Sequence, residues 1–304
     1  MKALRYVLVA AAVLLAVTFP LYMGPYPLAI AIPILVNLSL ALSWDMLLRS
    51  GQISFGIAGF FGIGSYAAAL AAIYLGLHPL LTILVSGVVA FVVSLGLGFA
   101  VLRLRGMYFA ITTLALAEIF RVVIRNLGEF TGGPEGKVMP KVIFGGSSSG
   151  MYWFVLAIAL LVIVLSEVFT RTRVHFALTS IRNNEIIARS RGVDIFKYLV
   201  IIFAVTAALQ GMVGGAYAQV YGFVTPEGSF HVDFTLLPLA VALLGGIYGT
   251  LGPIVGALLL GVVAEYLKLY IPYGHLLVYG IIVVVVILFM PKGIVGTLAE
   301  RIKR

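Results

Sequence analysis

The sequence predicts an all-α, polytopic membrane protein with about ten transmembrane helices. Its residues are 62% hydrophobic and only 10% charged, with a mean hydropathy of +1.16. Apolar runs of about 20 residues, the length a helix needs to cross the hydrocarbon layer, recur along the whole chain with short breaks between them. A water-soluble domain of this composition lacks the polar residues to cover its surface. Residues 1–304 therefore read as one transmembrane domain in the lipid bilayer, with no room for a sizeable soluble one.

The first run follows Lys2 and Arg5 and spans Ala10 to Phe19. No small-x-small cleavage pattern precedes Pro20 and Pro25, so it is expected to be a retained helix. The crossings are placed at roughly 4–23, 27–48, 53–76, 80–102, 107–125, 151–170, 198–221, 235–250, 253–271 and 276–290. Gly24-Pro25, Arg49 to Gly51, His78-Pro79, Arg103 to Gly106 and Gly249 to Pro253 separate them.

Basic residues resist translocation, so their distribution orients the chain. With the N-terminus inside, Lys2, Arg5, Arg49, Arg103, Arg105, Arg171, Arg173, Arg182, Arg189, Arg191, Lys197, Lys292, Arg301, Lys303 and Arg304 are cytoplasmic. Only Arg121, Arg125, Lys137, Lys141 and Lys268 fall outside. An even number of crossings puts both termini in the cytoplasm. The net charge of +9 is scattered between apolar runs and forms no single stripe, which argues against a nucleic-acid partner.

Two loops are long. The outer one, Asn126 to Gly150, is rich in Gly and Ser, and the inner one, 171–197, is basic. Three apolar stretches are rich in Gly: Gly51 to Tyr66, Gln210 to Tyr217 and Gly245 to Gly261. Small residues let membrane helices approach closely, and Gly62 with Gly64, or Gly245 with Gly246, also suits a broken helix lining a cavity.

Catalytic motifs are missing. Thr131 to Val138 is the nearest match to a phosphate-binding loop, but Thr131 takes the first glycine position and Val138 that of the magnesium-binding hydroxyl. His78, His175, His231 and His275 lack metal-ligand spacing, and there is no cysteine. Neither metal nor cofactor is expected. Among intramembrane ionisable residues, Asp45 lies near the inner end of its run, and Glu265 and Lys268 are spaced for a pair. Glu118 is expected to be the most buried, with Arg121 one turn on to neutralise it.

In the inner loop, Leu178, Ile181, Glu185 and Ala188 fall on one side of a helix, with Arg182 and Arg189 flanking Glu185. Gly192 suits the left-handed turn that ends it. Such a helix either docks in a groove on a soluble partner or is a solvated basic loop that fixes topology.

Here Arg182, Glu185, Ala188 and Gly192 match an Arg-x-x-Glu-x-Ala-Ala-x-x-x-Gly pattern, with Ile187 in place of the first alanine. The segment resembles the coupling region of permease subunits of branched-chain amino acid ABC importers of the LivM type. Further matches lie at Gly51 to Gly56, Gly62 to Tyr66, Leu104 to Ala110 with Thr113 to Ala115, and Thr131 to Gly133. Others follow at Gly214 to Tyr217, Pro226 to Phe230, and Leu244 to Gly246 with Gly249 to Pro253. Ile57 departs from the histidine often found there.

The resemblance implies an ABC importer permease fold in the cell inner membrane. It implies a LivH-like sister permease, two ABC ATPase subunits of the LivG and LivF kind, and an external substrate-binding protein. Arg182, Glu185, Ala188, Arg189 and Gly192 would form the ATPase-coupling site. Gly-rich backbone near the midplane makes Gly51, Gln52, Ser54, Gly62, Gly64, Thr112, Thr113, Gly245 and Gly246 the candidate translocation pathway. Three readings compete: the same architecture for urea or short amides, a proton-coupled transporter using Glu118, and a membrane scaffold.

Overall fold

The structure, a computed structural model, describes residues 2–270, 274–289 and 293–297, with side chains described from Ala11 to Leu267 and at part of the later positions. Lys268, Lys292 and the tail Arg301 to Arg304 lie outside the described side chains, as do Lys2, Arg5 and His275. The expected Glu265–Lys268 pair and terminal charges fall with them.

Among the described residues each apolar run of the sequence is mostly helical. The helices are α1 (Lys2–Tyr22), α2 (Pro25–Leu48), α3 (Ile57–Tyr74), α4 (Pro79–Val101), α5 (Met107–Asn126) and α6 (Ser148–Phe169), then α7 (Arg173–Asn183) and α8 (Glu185–Ser190) in the basic loop. They continue with α9 (Ile195–Tyr221), the one-turn α10 (Pro226–Ser229), α11 (Asp233–Gly245), α12 (Leu251–Tyr270) and α13 (His275–Phe289). Among the described residues seven spans are long and apolar enough to cross a membrane: α2 to α6, α9, and α10 joined to α11. The apolar parts of α1 and α12, and α13, are shorter.

Start signals are local. Pro25 and Pro79 open α2 and α4, where a missing N–H costs nothing. His78 accepts Leu80 N–H, Thr172 caps α7 through His175 N–H, and Asp194 caps α9 through Lys197 N–H.

The core is built on α2 and α9. From Val36 to Ser50 every residue is buried, the signature of a helix enclosed on all sides; α2 packs on α6, α9, α11 and α12. Helix α9 packs on α3 and α4 through glycine. Any Cβ at Gly64 would overlap the Gly211 backbone, and one at Gly214 the Phe61 carbonyl. Ser65 Oγ donates to the Gly214 carbonyl at 2.9 Å across this seam. Leu84, Val88, Val92 and Phe99 on the far side of α4 are exposed, an apolar face suited to lipid.

The helix ends sort into two poles. One collects the ends of α2, α4, α6 and α11 with α7 and α8, joined by Arg105–Glu185 and Ser166–Thr250 contacts. The other holds the ends of α3, α5 and α9. There Lys137-Val138 (β1) pairs antiparallel with Phe223-Val224 (β2), and Arg125 meets Glu227 at 3.3 Å. Thr131 to Val138 is therefore a turn that closes α5, with Thr131 Oγ1 donating to the Ile124 carbonyl at 2.6 Å. The helices alternate in direction, and among the described residues most Lys and Arg lie at the first pole, hereafter the basic pole.

Candidate functional site

At the basic pole the last turn of α2 carries a buried ion pair. Asp45 and Arg49 are one helical turn apart, both side chains are fully buried, and Arg49 Nη2 and Nε reach Asp45 Oδ2 at 2.8 and 2.9 Å. A buried pair holds only if its remaining hydrogen-bonding capacity is met. That capacity is met in part: Arg49 Nη2 donates to Ser166 Oγ at 3.2 Å, Ser166 Oγ meets Thr250 Oγ1 at 3.2 Å, and the guanidinium lies 5.6 Å from the Phe169 ring centre, while Nη1 has no hydrogen-bond partner. Asp45 Oδ1 accepts the Tyr248 backbone N–H at 2.5 Å. This clamp joins α2, the end of α6 and the turn between α11 and α12. Tyr248 holds φ +67, and Phe144 is the other described non-glycine residue with positive φ.

Beside it the chain between α2 and α3 is not helical. The run expected to be a crossing from 53 becomes helical at Ile57, with Gly51 at φ +84. Irregular backbone inside a membrane protein needs partners from neighbouring elements. Trp44 Nε1 donates to the Ser54 carbonyl at 2.8 Å, Thr113 Oγ1 accepts Phe55 N–H at 2.9 Å, and Thr235 Oγ1 accepts Ala58 N–H at 3.2 Å. Ser54 Oγ accepts Gly56 N–H at 3.1 Å, while Gln52 is buried with Oε1 lacking a hydrogen-bond partner. The broken segment is thus 51–56, held by α2, α5 and α11.

The basic loop folds against both features. Leu178, Ile181 and Ala188 are buried, whereas Glu185, which the spacing sets on the same side, is 38% exposed. The single helix does not form, however: Asn184, at φ −162 and ψ 109, ends α7 and caps α8 through Ile187 N–H at 3.0 Å. Asparagine favours caps over helix interiors because its side chain competes for backbone N–H groups. Arg182 consequently does not flank Glu185. Its guanidinium lies 4.0 Å over the Tyr248 ring, within cation–π range, and its stem packs on Gly51, where a Cβ would come within 3.2 Å. Glu185 instead reaches Arg105 at 3.3 Å and Arg189 at 3.9 Å. Gly192, at φ +80, ends α8 in the expected left-handed turn.

His175 on α7 sits edge-on to Phe169, 5.3 Å between ring centres. Burial, reinforced by the Arg49 and Arg182 charges, holds its imidazole below the usual histidine range. A depressed folded-state pKa means the unfolded chain takes up the proton first, so this contribution is complete above about pH 6.5 and is lost as pH falls through the folded value. Thermal stability is expected to drop on acidification below about pH 6.5, less steeply in His175→Gln than in the parent. Equal slopes in a pH series of melting curves would contradict this.

The other predicted residues separate into groups. Gly62 packs under the Phe230 ring and Gly64 on Gly211, both buried in helix contacts. Gly245 abuts Gly252 and Gly256 in the tight α11–α12 turn. Gly246 lines a cavity of about 410 Å³ at the basic pole with Glu167, Thr170 and Thr250. Thr112, half-buried, adjoins the buried Thr113 on α5. Glu118 is not buried: its side chain is 58% exposed, since α5 turns Phe109, Ala110, Thr113 and Ala117 to the core. It pairs with Arg121, which also meets Glu227 at 3.7 Å. The enclosed ionisable pair is Asp45–Arg49, and Arg49, Ser166, Tyr248 and Thr250 were not among the predicted site residues. The four-residue spacing of Asp45 and Arg49 was the available signal.

Among the described residues no cluster of His, Asp and Glu suits a metal. A multi-span apolar bundle with a polar-keyed pole and a short two-helix loop docked on it defines a polytopic α-helical membrane protein. Residues 26–289 match the family described as branched-chain amino acid transport system, permease component, and the chain belongs to that family. It is a transport component. It is 31% identical to the high-affinity branched-chain amino acid transport system permease protein LivM of Escherichia coli, over 96% of this chain and 75% of that protein. It is 25% identical to the probable LivM of Methanocaldococcus jannaschii, over 80% of this chain and 78% of the relative. The probable LivH of the same archaeon is 24% identical over 80% of this chain and 82% of its own length. No solved structure matches.

Proposed function

We propose that the chain is one half of a heteromeric ABC import channel for branched-chain amino acids, paired with a LivH-like sister and supplied by an external binding protein. Two ATPase subunits grip its basic pole. Family membership and the likeness to LivM support the substrate class, and the excess of Lys and Arg supports a cytoplasmic basic pole with both termini inside. The lipid is then the cell inner membrane.

The observation that carries the coupling assignment is the seating of α7 and α8. Arg182 touches both the Gly51 turn and Tyr248, whose N–H is held by Asp45. A displacement of this loop is thereby transmitted to the end of α2 and to the α11–α12 turn together. Ala188 faces the permease, and the surface presented outward carries Ile186, 82% exposed, with Ile187 and Arg189. An ATPase groove would receive that surface. Closure of the ATPases moves substrate only by binding one permease state better than the other.

The exposed middle of α5, with Thr112 and the Glu118–Arg121 pair, suits a protein or aqueous neighbour, because ionised groups are costly against lipid. We assign it to the sister subunit and the pathway between the halves, reached from the broken segment Gly51, Gln52 and Ser54 and from Gly246.

Glu185→Lys sets a cation between Arg105 and Arg189. With the five-component importer in proteoliposomes, we expect amino acid uptake to fall at least about tenfold, a change of ~1.4 kcal/mol or more in coupling, while ATP hydrolysis persists. Parental uptake by this variant refutes the coupling role.

A further inference from the structure

The lipid-facing stripe of α4 ends in charge. Leu80, Leu84, Val88, Val92 and Phe99 are each more than half exposed and recur at helical spacing on one side of the helix. From Leu80 to Phe99 the stripe measures about 28 Å at 1.5 Å per residue, close to the thickness of the hydrocarbon layer. Arg103, exposed in the turn that follows, continues the same side about 6 Å further on, at the level of lipid headgroups.

A second cation stands at that level. Contacts of Gly87 with Met212 and of Gly98 with Phe203 show α4 and α9 running antiparallel, and the same register carried past Gly98 sets Arg103 level with Lys197. Lys197 is exposed and falls on the side of α9 that carries Ala208 and Gly211, which face α4. The Phe99 ring reaches Phe196 at 5.7 Å between centres, so the two segments meet at this height. Gly96, exposed and with open space where a side chain would stand, leaves a notch in the stripe two turns inside the headgroup level.

Charge decides what fills this groove. Arg105 turns away to Glu185, and Arg103 and Lys197 have no ion-pair partner among the described residues. The nearby acid, Asp194, uses Oδ1 to cap α9 on the Lys197 backbone N–H. An apolar stripe of membrane thickness topped by two unpaired cations complements a molecule with an anionic head and acyl chains. A soluble protein neighbour would match the cations but not the stripe.

We infer that the groove between α4 and the start of α9 binds an anionic phospholipid, its phosphate reached by Arg103 and Lys197 and an acyl chain lying along the α4 stripe past Gly96. A zwitterionic lipid fits the stripe equally well but carries an ammonium that offsets its phosphate, so preference for net negative charge is the property to measure. The site belongs to this chain alone and its test needs no uptake.

The chain has no cysteine, so Gly96→Cys takes a single bimane label in the full chain, in phosphatidylcholine nanodiscs. Leu84→Cys, on the same stripe toward the opposite end of α4, is the control. Phosphatidylglycerol or phosphatidylcholine brominated on the acyl chains quenches the label in proportion to its occupancy beside it. One cation near an anionic lipid is worth about fivefold in association, so phosphatidylglycerol is expected to be favoured at least about fivefold at Gly96 and less than about twofold at Leu84. Arg103→Gln with Lys197→Gln should bring the Gly96 ratio to about one, whereas Arg103→Lys with Lys197→Arg, which keeps both charges, should preserve it. Raising salt from about 0.01 M to about 1 M shortens the screening length about tenfold and should shrink the preference. Equal quenching by the two lipids at Gly96 in the otherwise parental chain overturns the inference. So does a preference that survives neutralisation of both cations; if that variant also binds the ATPase subunits less tightly, the cations belong to a protein neighbour.

Discussion

Arg49→Met is expected to be the most damaging single change at the basic pole. It leaves the Asp45 carboxylate fully buried with its cation gone, and breaking one side of a buried pair costs about 3–5 kcal/mol. It also removes the donor to Ser166 and the cation over Phe169. Asp45 is fully buried, and the Tyr248 N–H is the remaining donor to it that the structure shows. The double variant Asp45→Leu with Arg49→Met should recover much of the loss, because an apolar pair of similar volume carries no desolvation penalty. Thermal unfolding in detergent, followed by the fraction of monodisperse protein, checks both. An Arg49→Met chain as stable as the parent would mean that the clamp contributes nothing to the fold.

Gly64→Val should be comparably severe for a different reason. The obstacle is the Gly211 backbone, which cannot rotate aside as a side chain can. Overpacking in a well-filled core typically costs about 1–3 kcal/mol, and more when backbone must move. Separation of α3 from α9 would also break the Ser65–Gly214 hydrogen bond. Gly96→Ala on α4 is the matched control, with open space around the position, and should be neutral or stabilising by up to about 1 kcal/mol through helix propensity. If the two variants melt alike, the glycine seam is not what brings α3 and α9 together.

The apolar helices were legible in the sequence because length and apolarity suffice to mark them, and their caps are local, although seven of the ten expected crossings meet the length and apolarity of a span among the described residues. Which face each helix buries was much less legible. Lipid and protein core are both apolar, so the contrast that betrays the inner face of a soluble helix is weak here. Glu118 shows the consequence: a carboxylate in mid-helix reads as buried, yet α5 turns it away from this chain's core. The break at 51–56 went unread for a related reason, since its buried backbone is satisfied by Trp44, Thr113 and Thr235 from three other helices. Within the basic loop, the burial of Leu178, Ile181 and Ala188 and the turn at Gly192 agree with the spacing, while Glu185 does not join the buried side. The division at Asn184 was overlooked, although asparagine is a familiar cap.

Tyr248 carries a consequence of its own. A tyrosine in the left-handed region costs about 1–3 kcal/mol relative to ordinary backbone, and here that posture is kept by the Asp45 carboxylate below and the Arg182 guanidinium above. Two contacts from different elements therefore hold one strained peptide, and losing either removes part of what offsets its cost.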